Sequence, residues 1–539
     1  MPGNVLRYLR GGKSVLLCEH PWEAMKMQDR EIEQAEMAAE TEIGCDIDGD
    51  TAREEALWYA IMNVIALCLG SGMGISCEPE KPDELLDWTG IGWSNLPLSA
   101  PKPLKALFKS GDPHLLREFE QGNLDSWRWA ADSFDRSLVP QAQGWPIIAE
   151  IECAKWFGIP QSAKVMPEDI GNSWKANGML LWAMARKQLD FAFNNLRDNK
   201  GLFVTAVETG SLKVADPGND LADQAVMLWA CSDAASLAGR SDSIYADDNS
   251  RRCFMDFADE LFRAIADNKN ELLRSSVDVV KAQSIAILAL VWYASATEAQ
   301  DLKTRCFWLL RELADNLVKA QDANEMVGNN LVDAASALRA LTEAFRITHL
   351  RTYAEAASRI FSFIESQWSV PDGVYAQTPL SREFTYNADD IGIILGALNS
   401  SRLFLGDRVD RELADLRMRV FFCRAVNISG LQMSMPSATF LPEWFQAREP
   451  SAHFRYGSIP LPSEADGEFG TAPVLAAEVG YDPQTQTWSR RMLFDVPAAM
   501  HACCELLWMN SEAICGFPDV KLEHSPASVQ QAARLSQAE

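Results

Sequence analysis

The sequence predicts an all-α fold, an (α/α)6 toroid in which six helical hairpins close into a ring, preceded by an N-terminal helical extension. Three observations predict it. A phrase with a polar or acidic start, followed by small and apolar residues and often a Trp, recurs along the chain. Helices apolar on nearly every side alternate with helices that are polar on one face. The composition, 47% hydrophobic and 23% charged, is that of a globular protein and excludes wholesale disorder.

The first 110 residues differ from the rest and form the expected extension and connector. Asp29 to Glu55 is dense in acids, and Thr51-Ala52-Arg53-Glu54 has the form of a capping box that starts a helix. The stretch Ala56 to Ser76 carries no charge and is nearly long enough to span a bilayer. Asn63 at its centre and three glycines at its end favour a buried helix over a membrane span. Pro82 to Pro103 reads as an irregular connector.

The toroid is expected over 111–520, with a flexible tail at 521–539. The recurring phrase starts at Trp174, Asn219, Val279, Asn329 and Asn387, with spacings of roughly 45 to 60 residues, enough for two helices and two turns. A sixth copy starts at Phe494. These six are expected inner helices. Cys253–Asp267, Leu302–Lys319, Tyr353–Trp368 and Arg408–Phe422 are more charged and amphipathic, as outer helices would be. A long excursion at 429–488, rich in Pro, Gly, Ser and aromatics, is expected over one mouth of the ring.

Two turns carry a family resemblance. Asp198-Asn199-Lys200-Gly201-Leu202-Phe203 and Pro371-Asp372-Gly373-Val374-Tyr375 each follow an outer-type helix and precede an inner one. This D-G-x-aromatic turn before a small-residue helix, together with the repeat layout, resembles the six-hairpin glycosidase superfamily. That group includes inverting glycoside hydrolases, N-acylglucosamine 2-epimerase-like proteins and toroids fused to thioredoxin domains. The resemblance implies the toroid fold over about 110–515 and a carbohydrate-directed activity. The epimerase branch is expected to use histidines. Of the six here only His501 falls on an inner helix, and His453 lies in the excursion. A lone inner-helix histidine reads first as a satisfied core residue.

In such a ring the starts of the inner helices converge on a shared funnel. Glycoside hydrolysis needs one protonated and one ionised carboxyl group. The candidate catalytic acids are Asp389, Asp390, Asp220, Asp223, Glu443 and Glu468, and Asp333 and Asp495 occupy comparable starts. Capping and the helix macrodipole also favour acids in a first turn. Tyr386-Asn387-Ala388-Asp389-Asp390 crowds a phenol, an amide and two acids at one helix entrance and is the leading candidate. Trp174, Tyr386, Asn387, Trp444, His453 and Tyr456 are candidate substrate-binding residues, since aromatic faces suit sugar rings. Trp182, Trp229, Trp292 and Trp508 recur at matching repeat positions and are assigned to packing.

No cofactor or metal site is expected. Gly12-Lys13-Ser14 lacks the first glycine of a P-loop, and the acidic run at Asp46 to Asp50 lacks the Gly and Glu of a calcium loop. The formal charge of -26 argues against nucleic acid as a partner. A carbohydrate or other small molecule is the expected ligand. The alternative is a non-catalytic scaffold with a protein partner. The lack of a signal peptide and the sparse cysteines point to the cytoplasm, with membrane association through 56–76 as the alternative.

Overall fold

The structure is a computed structural model that describes residues 47–77, 103–115, 127–129, 133–158, 171–378, 384–432, 475–491 and 493–510. Among the described residues there are twelve α-helices. They are α1 (Gly49–Ile65), α2 (Gln141–Gly158), α3 (Gly171–Asn195), α4 (Leu221–Gly239), α5 (Asp248–Ser275) and α6 (Val279–Ala296). The remainder are α7 (Gln300–Ala320), α8 (Leu331–Thr348), α9 (Arg351–Ser366), α10 (Ala388–Phe404), α11 (Arg408–Phe422) and α12 (Val496–Trp508).

The helices form two concentric layers. Helices α2, α4, α6, α8, α10 and α12 each pack on the next, and α12 packs back on α2. Each inner helix has an outer partner: α3 on α2, α5 on α4, α7 on α6, α9 on α8, α11 on α10 and α1 on α12. The predicted (α/α)6 toroid is the observed fold. The layers differ as burial demands. In α4 and α10 almost every residue is buried, whereas α5 buries one stripe of Ser250, Phe254, Ala258, Leu261, Phe262, Ile265 and Leu272.

Local chemistry sets the helix ends. Asp220, Asp278, Asn330, Asn387 and Asp495 each cap an inner helix by accepting a backbone N–H of the first turn. Helix α1 is capped by Asp48, whose Oδ1 accepts the Thr51 N–H at 2.8 Å, so it starts before the Thr51 box. Both D-G-x-aromatic turns form, with Gly201 at φ +82° and Gly373 at φ +65°, where a side chain would be strained.

The inner ring differs from the sequence expectation at one hairpin. The phrase beginning at Trp174 lies on α3, an outer helix, and Trp182 packs against Tyr245 and Phe254. The inner helix of that hairpin is α2. It carries Gly144 and Pro146 within its span, both of which read as helix breakers. Gly144 is there because α4 is close: a Cβ would lie 2.4 Å from Val226 Cγ1.

Within the stretch set apart at 1–110, α1 is the outer partner of α12. Ala56 to Leu69 is buried within the protein, and Asn63 donates to the Tyr59 carbonyl at 2.7 Å and to Gln432 at 3.2 Å. Helix α6 is long and apolar enough to cross a membrane, and most of it is buried as one wall of the ring.

Short strands complete the fold. Glu478–Asp482, near the end of the expected excursion, and Thr487–Arg491, which runs past it, form an antiparallel hairpin that adds to Phe384–Asn387. Residues 433–474 and 521–539 lie outside the described residues.

Helices α10 and α12 touch through Gly392, where a Cβ would fall 2.9 Å from the Ala502 Cα. Gly392→Val forces the two backbones apart and should destabilise the fold by about 1–3 kcal/mol. Gly406→Ala, at an exposed glycine with nothing within 4 Å, should be neutral or slightly stabilising. Thermal unfolding of both variants checks this.

Candidate functional site

The starts of the inner helices meet at one mouth. Strands lead into it: Phe384–Asn387 runs directly into α10, and Phe494–Asp495 directly into α12. Gln141 at the start of α2 donates from Nε2 to Asp223 Oδ1 in the first turn of α4 at 2.9 Å. Lys281 in the first turn of α6 pairs with Asp389 in the first turn of α10, although α8 stands between those helices.

Asp389 is the centre of the site. Its Oδ2 accepts from the Lys281 ammonium, and its Oδ1 meets His501 Nδ1 at 2.5 Å. The other imidazole nitrogen, Nε2, lies 3.1 Å from Glu505 Oε1, and Glu505 forms an ion pair with Arg339 of α8. The Trp145 ring stacks on the imidazole with centroids 3.9 Å apart. Burial alone would raise the Asp389 carboxyl, but Lys281 and His501 hold it well below the usual carboxylate range. Burial opposes the charge of Lys281, and the carboxylates of Asp389, Asp390 and Asp278 overcome it and raise the ammonium above its ordinary value. Burial pushes His501 below its ordinary value against the pull of Asp389. Burial also brings Arg339 down to about 10.

The other acids at the mouth are shifted the opposite way. Burial raises Asp223 to about 7 despite the Gln141 hydrogen bond, and Asp220 adds to the rise. Burial raises Asp390 to about 6, opposed by its hydrogen bond from the Asn387 N–H. Burial raises Asp333 and Asp495 as well. The mouth therefore holds a firmly ionised carboxylate and two carboxyls that stay partly protonated near neutrality.

The remaining predicted residues have local roles. Asp220 caps α4 by accepting the Ala222 N–H at 2.7 Å. Asn387 and Asp390 form a capping box. Tyr386 is fully buried, and its hydroxyl donates to the Tyr375 carbonyl, so it braces the entrance from behind. Trp174 lies on α3, but its side chain lies outside the described residues, as do Glu443, Trp444, His453, Tyr456 and Glu468.

Below the mouth the ring is filled by aromatic rings. Trp229 stacks on Trp508 at 4.9 Å, and Trp145 and Trp292 lie 5.8 and 6.0 Å from Trp229. At the opposite end Lys155 bonds Glu152 at 2.7 Å and Asp233 at 2.5 Å, with its ammonium 4.9 Å from the Trp292 ring centroid. Trp229, Trp292 and Trp508 pack together as expected from their repeat positions. Sequence reasoning passed over Lys281, Arg339, Glu505 and Trp145, and read His501 as core. The available signal was a charged residue set inside an otherwise apolar inner helix, where burial requires a partner.

Folding raises the Asp223 pKa from 3.8 to about 7, so the folded chain binds more protons between those values and stability falls as pH rises through that window. Asp223→Asn should match the parent near pH 4 and exceed it above pH 7 by a few kcal/mol at most, on the order of the shift itself. Arg339→Met leaves Glu505 buried without its cation and should cost about 3–5 kcal/mol, while the double change Arg339→Met/Glu505→Met should recover part of the loss. Urea unfolding at several pH values measures both.

No family model matches the chain, and no curated protein matches it in sequence. Among solved structures it is similar to D-mannose isomerase, with a TM-score of 0.48 at 10% identity, over 85% of this chain and 97% of that one. The cellulase Cel9M of C. cellulolyticum gives a TM-score of 0.45 at 12% identity, over 85% of this chain and 98% of that one. Cellobiose 2-epimerase from Bacillus thermoamylovorans gives 0.42 at 10% identity, over 69% of this chain and 88% of that one. With six inner helices closed on themselves and six outer partners, the chain has the fold of the six-hairpin (α/α)6 toroids.

Proposed function

We propose that the chain is a carbohydrate-active enzyme, a glycoside hydrolase that acts by acid/base catalysis at the mouth of the inner ring. The observation that carries this reading is the opposed tuning of carboxyls at one mouth. Asp389 is held ionised by Lys281 and His501, while Asp223 keeps its proton up to about pH 7. Environments that push carboxyl groups apart in this way assign acid and base roles. Asp223 serves as the acid that protonates the leaving oxygen. Asp389 directs a water or stabilises positive charge at the anomeric carbon, since each of its engaged oxygens keeps a further lone pair. Its side chain is 12% exposed and that of Lys281 is 28% exposed, so both can meet a ligand. Carbohydrate as the substrate class rests on the resemblance of the repeats and turns to the six-hairpin group.

A second reading has its own observation. The rings of Trp145, Trp229 and Trp508 fill the interior below the mouth, as in a ring that serves as a scaffold and binds a partner protein.

A chromogenic-glycoside panel and a glycan array on the purified chain separate the two. The hydrolase reading expects turnover on at least one glycoside, falling about 10²–10⁴-fold in Asp389→Asn and Asp223→Asn. Activity should decline above about pH 7, as the acid Asp223 loses its proton. No binding and no turnover on any sugar would remove this reading and leave the scaffold.

A further inference from the structure

We infer that His501 is a positioning residue for Asp389, and that Glu505 and Arg339 complete with it a brace across the ring that fixes the mouth carboxylate from groups that touch no substrate. The inference rests on the hydrolase reading for its catalytic meaning, and on geometry alone for its existence.

Five groups of alternating character form an unbroken line: Lys281, Asp389, His501, Glu505 and Arg339. They come from α6, α10, α12, α12 and α8. Each end of the line skips a helix. Lys281 reaches past α8 to α10, and Arg339 reaches past α10 to α12, so the line crosses the interior rather than following the wall. The surroundings are shaped to it. Trp145 of α2 covers one face of the imidazole, with the two ring planes 15° apart. Gly396 of α10 leaves the space for the far pair: a Cβ there would lie 2.3 Å from Glu505 Oε2 and 2.9 Å from an Arg339 nitrogen.

The proton count ties the groups together. Asp389 and Glu505 each already face a cation, and both imidazole nitrogens face their oxygens. A neutral imidazole has one N–H and can satisfy one of those contacts; the other needs a second proton. Charge facing His501 comes from Asp389 of α10 with Lys281 of α6 behind it, and from Glu505 of its own helix with Arg339 of α8 behind that. A change of charge at Lys281, at the partly exposed end, must therefore be felt at His501, inside the ring.

Nitrogen-15 NMR of the histidine side chains in the full chain tests this without a substrate. His501→Gln identifies the His501 signal by its loss. Lys281→Met should move the His501 titration midpoint upward by about a unit, because a cation is removed and Asp389 is left to His501 alone. Arg351→Met, at an arginine whose side chain is 90% exposed, should leave it unchanged. No shift in Lys281→Met overturns the brace whatever the activity. If His501→Gln does not fold, replacing the other five histidines, His20, His114, His349, His453 and His524, by Gln leaves the His501 signal alone in the spectrum. On a glycoside turned over by the parent, His501→Gln should lower kcat, shift the acid limb of the pH profile and leave KM nearly unchanged. An unaltered profile removes the positioning role. A chain that cleaves no glycoside but shows the NMR shift keeps the brace and loses the hydrolase reading.

Discussion

Six helices that are apolar on nearly every side cannot stand in water, and the ring is the arrangement that hides them all. Each inner helix buries two flanks against its neighbours, one against an outer helix, and the last against the interior of the ring. Closure is the constraint on which everything else depends. It is made by the last helix: α12 seals the gap between α10 and α2, and α1, the first described helix, covers it from the outside. Without that seal Asp389 and His501, which are 112 residues apart, would have no reason to meet.

Closure also creates an electrostatic problem. The starts of parallel helices collect capping acids, and a ring points them at one another in a space with little water. The protein resolves this in two ways. Asp389 receives two partners and stays ionised, whereas burial outweighs the hydrogen bonds to Asp223 and Asp390 and the weaker pull of Lys281 on Asp390, and their proton affinity rises. First-turn acids of the inner helices thus become carboxyls of different character, and acid/base chemistry draws on that difference.

Much of this was legible in the sequence. The starts of α4, α6, α8, α10 and α12, the outer set from α5 to α11 and the all-α class followed from hydrophobic period and polar starts, because burial on every side leaves a composition that is hard to mistake. The D-G-x-aromatic turns were legible because only glycine suits the φ they require. Helix α2 was not legible, since Gly144 and Pro146 are tertiary choices that contradict local propensity. Asp389 was identified as an acid at a helix entrance, but its partners were not. Lys281, Arg339 and Glu505 sit on three different helices, and no local pattern tells which buried charge another will find. His501 was read as a satisfied core residue, and it is satisfied; what satisfies it is the mouth carboxylate.

The most direct test of the account is a double-mutant cycle between Lys281→Met and Asp389→Asn, read as unfolding free energy. The two residues lie 108 positions apart, on helices that have α8 packed between them in the ring. The ring predicts a coupling of about 1 kcal/mol or more, as for charges in contact. Effects that add to within about 0.5 kcal/mol would show that the two side chains do not meet, and the shared mouth would be contradicted.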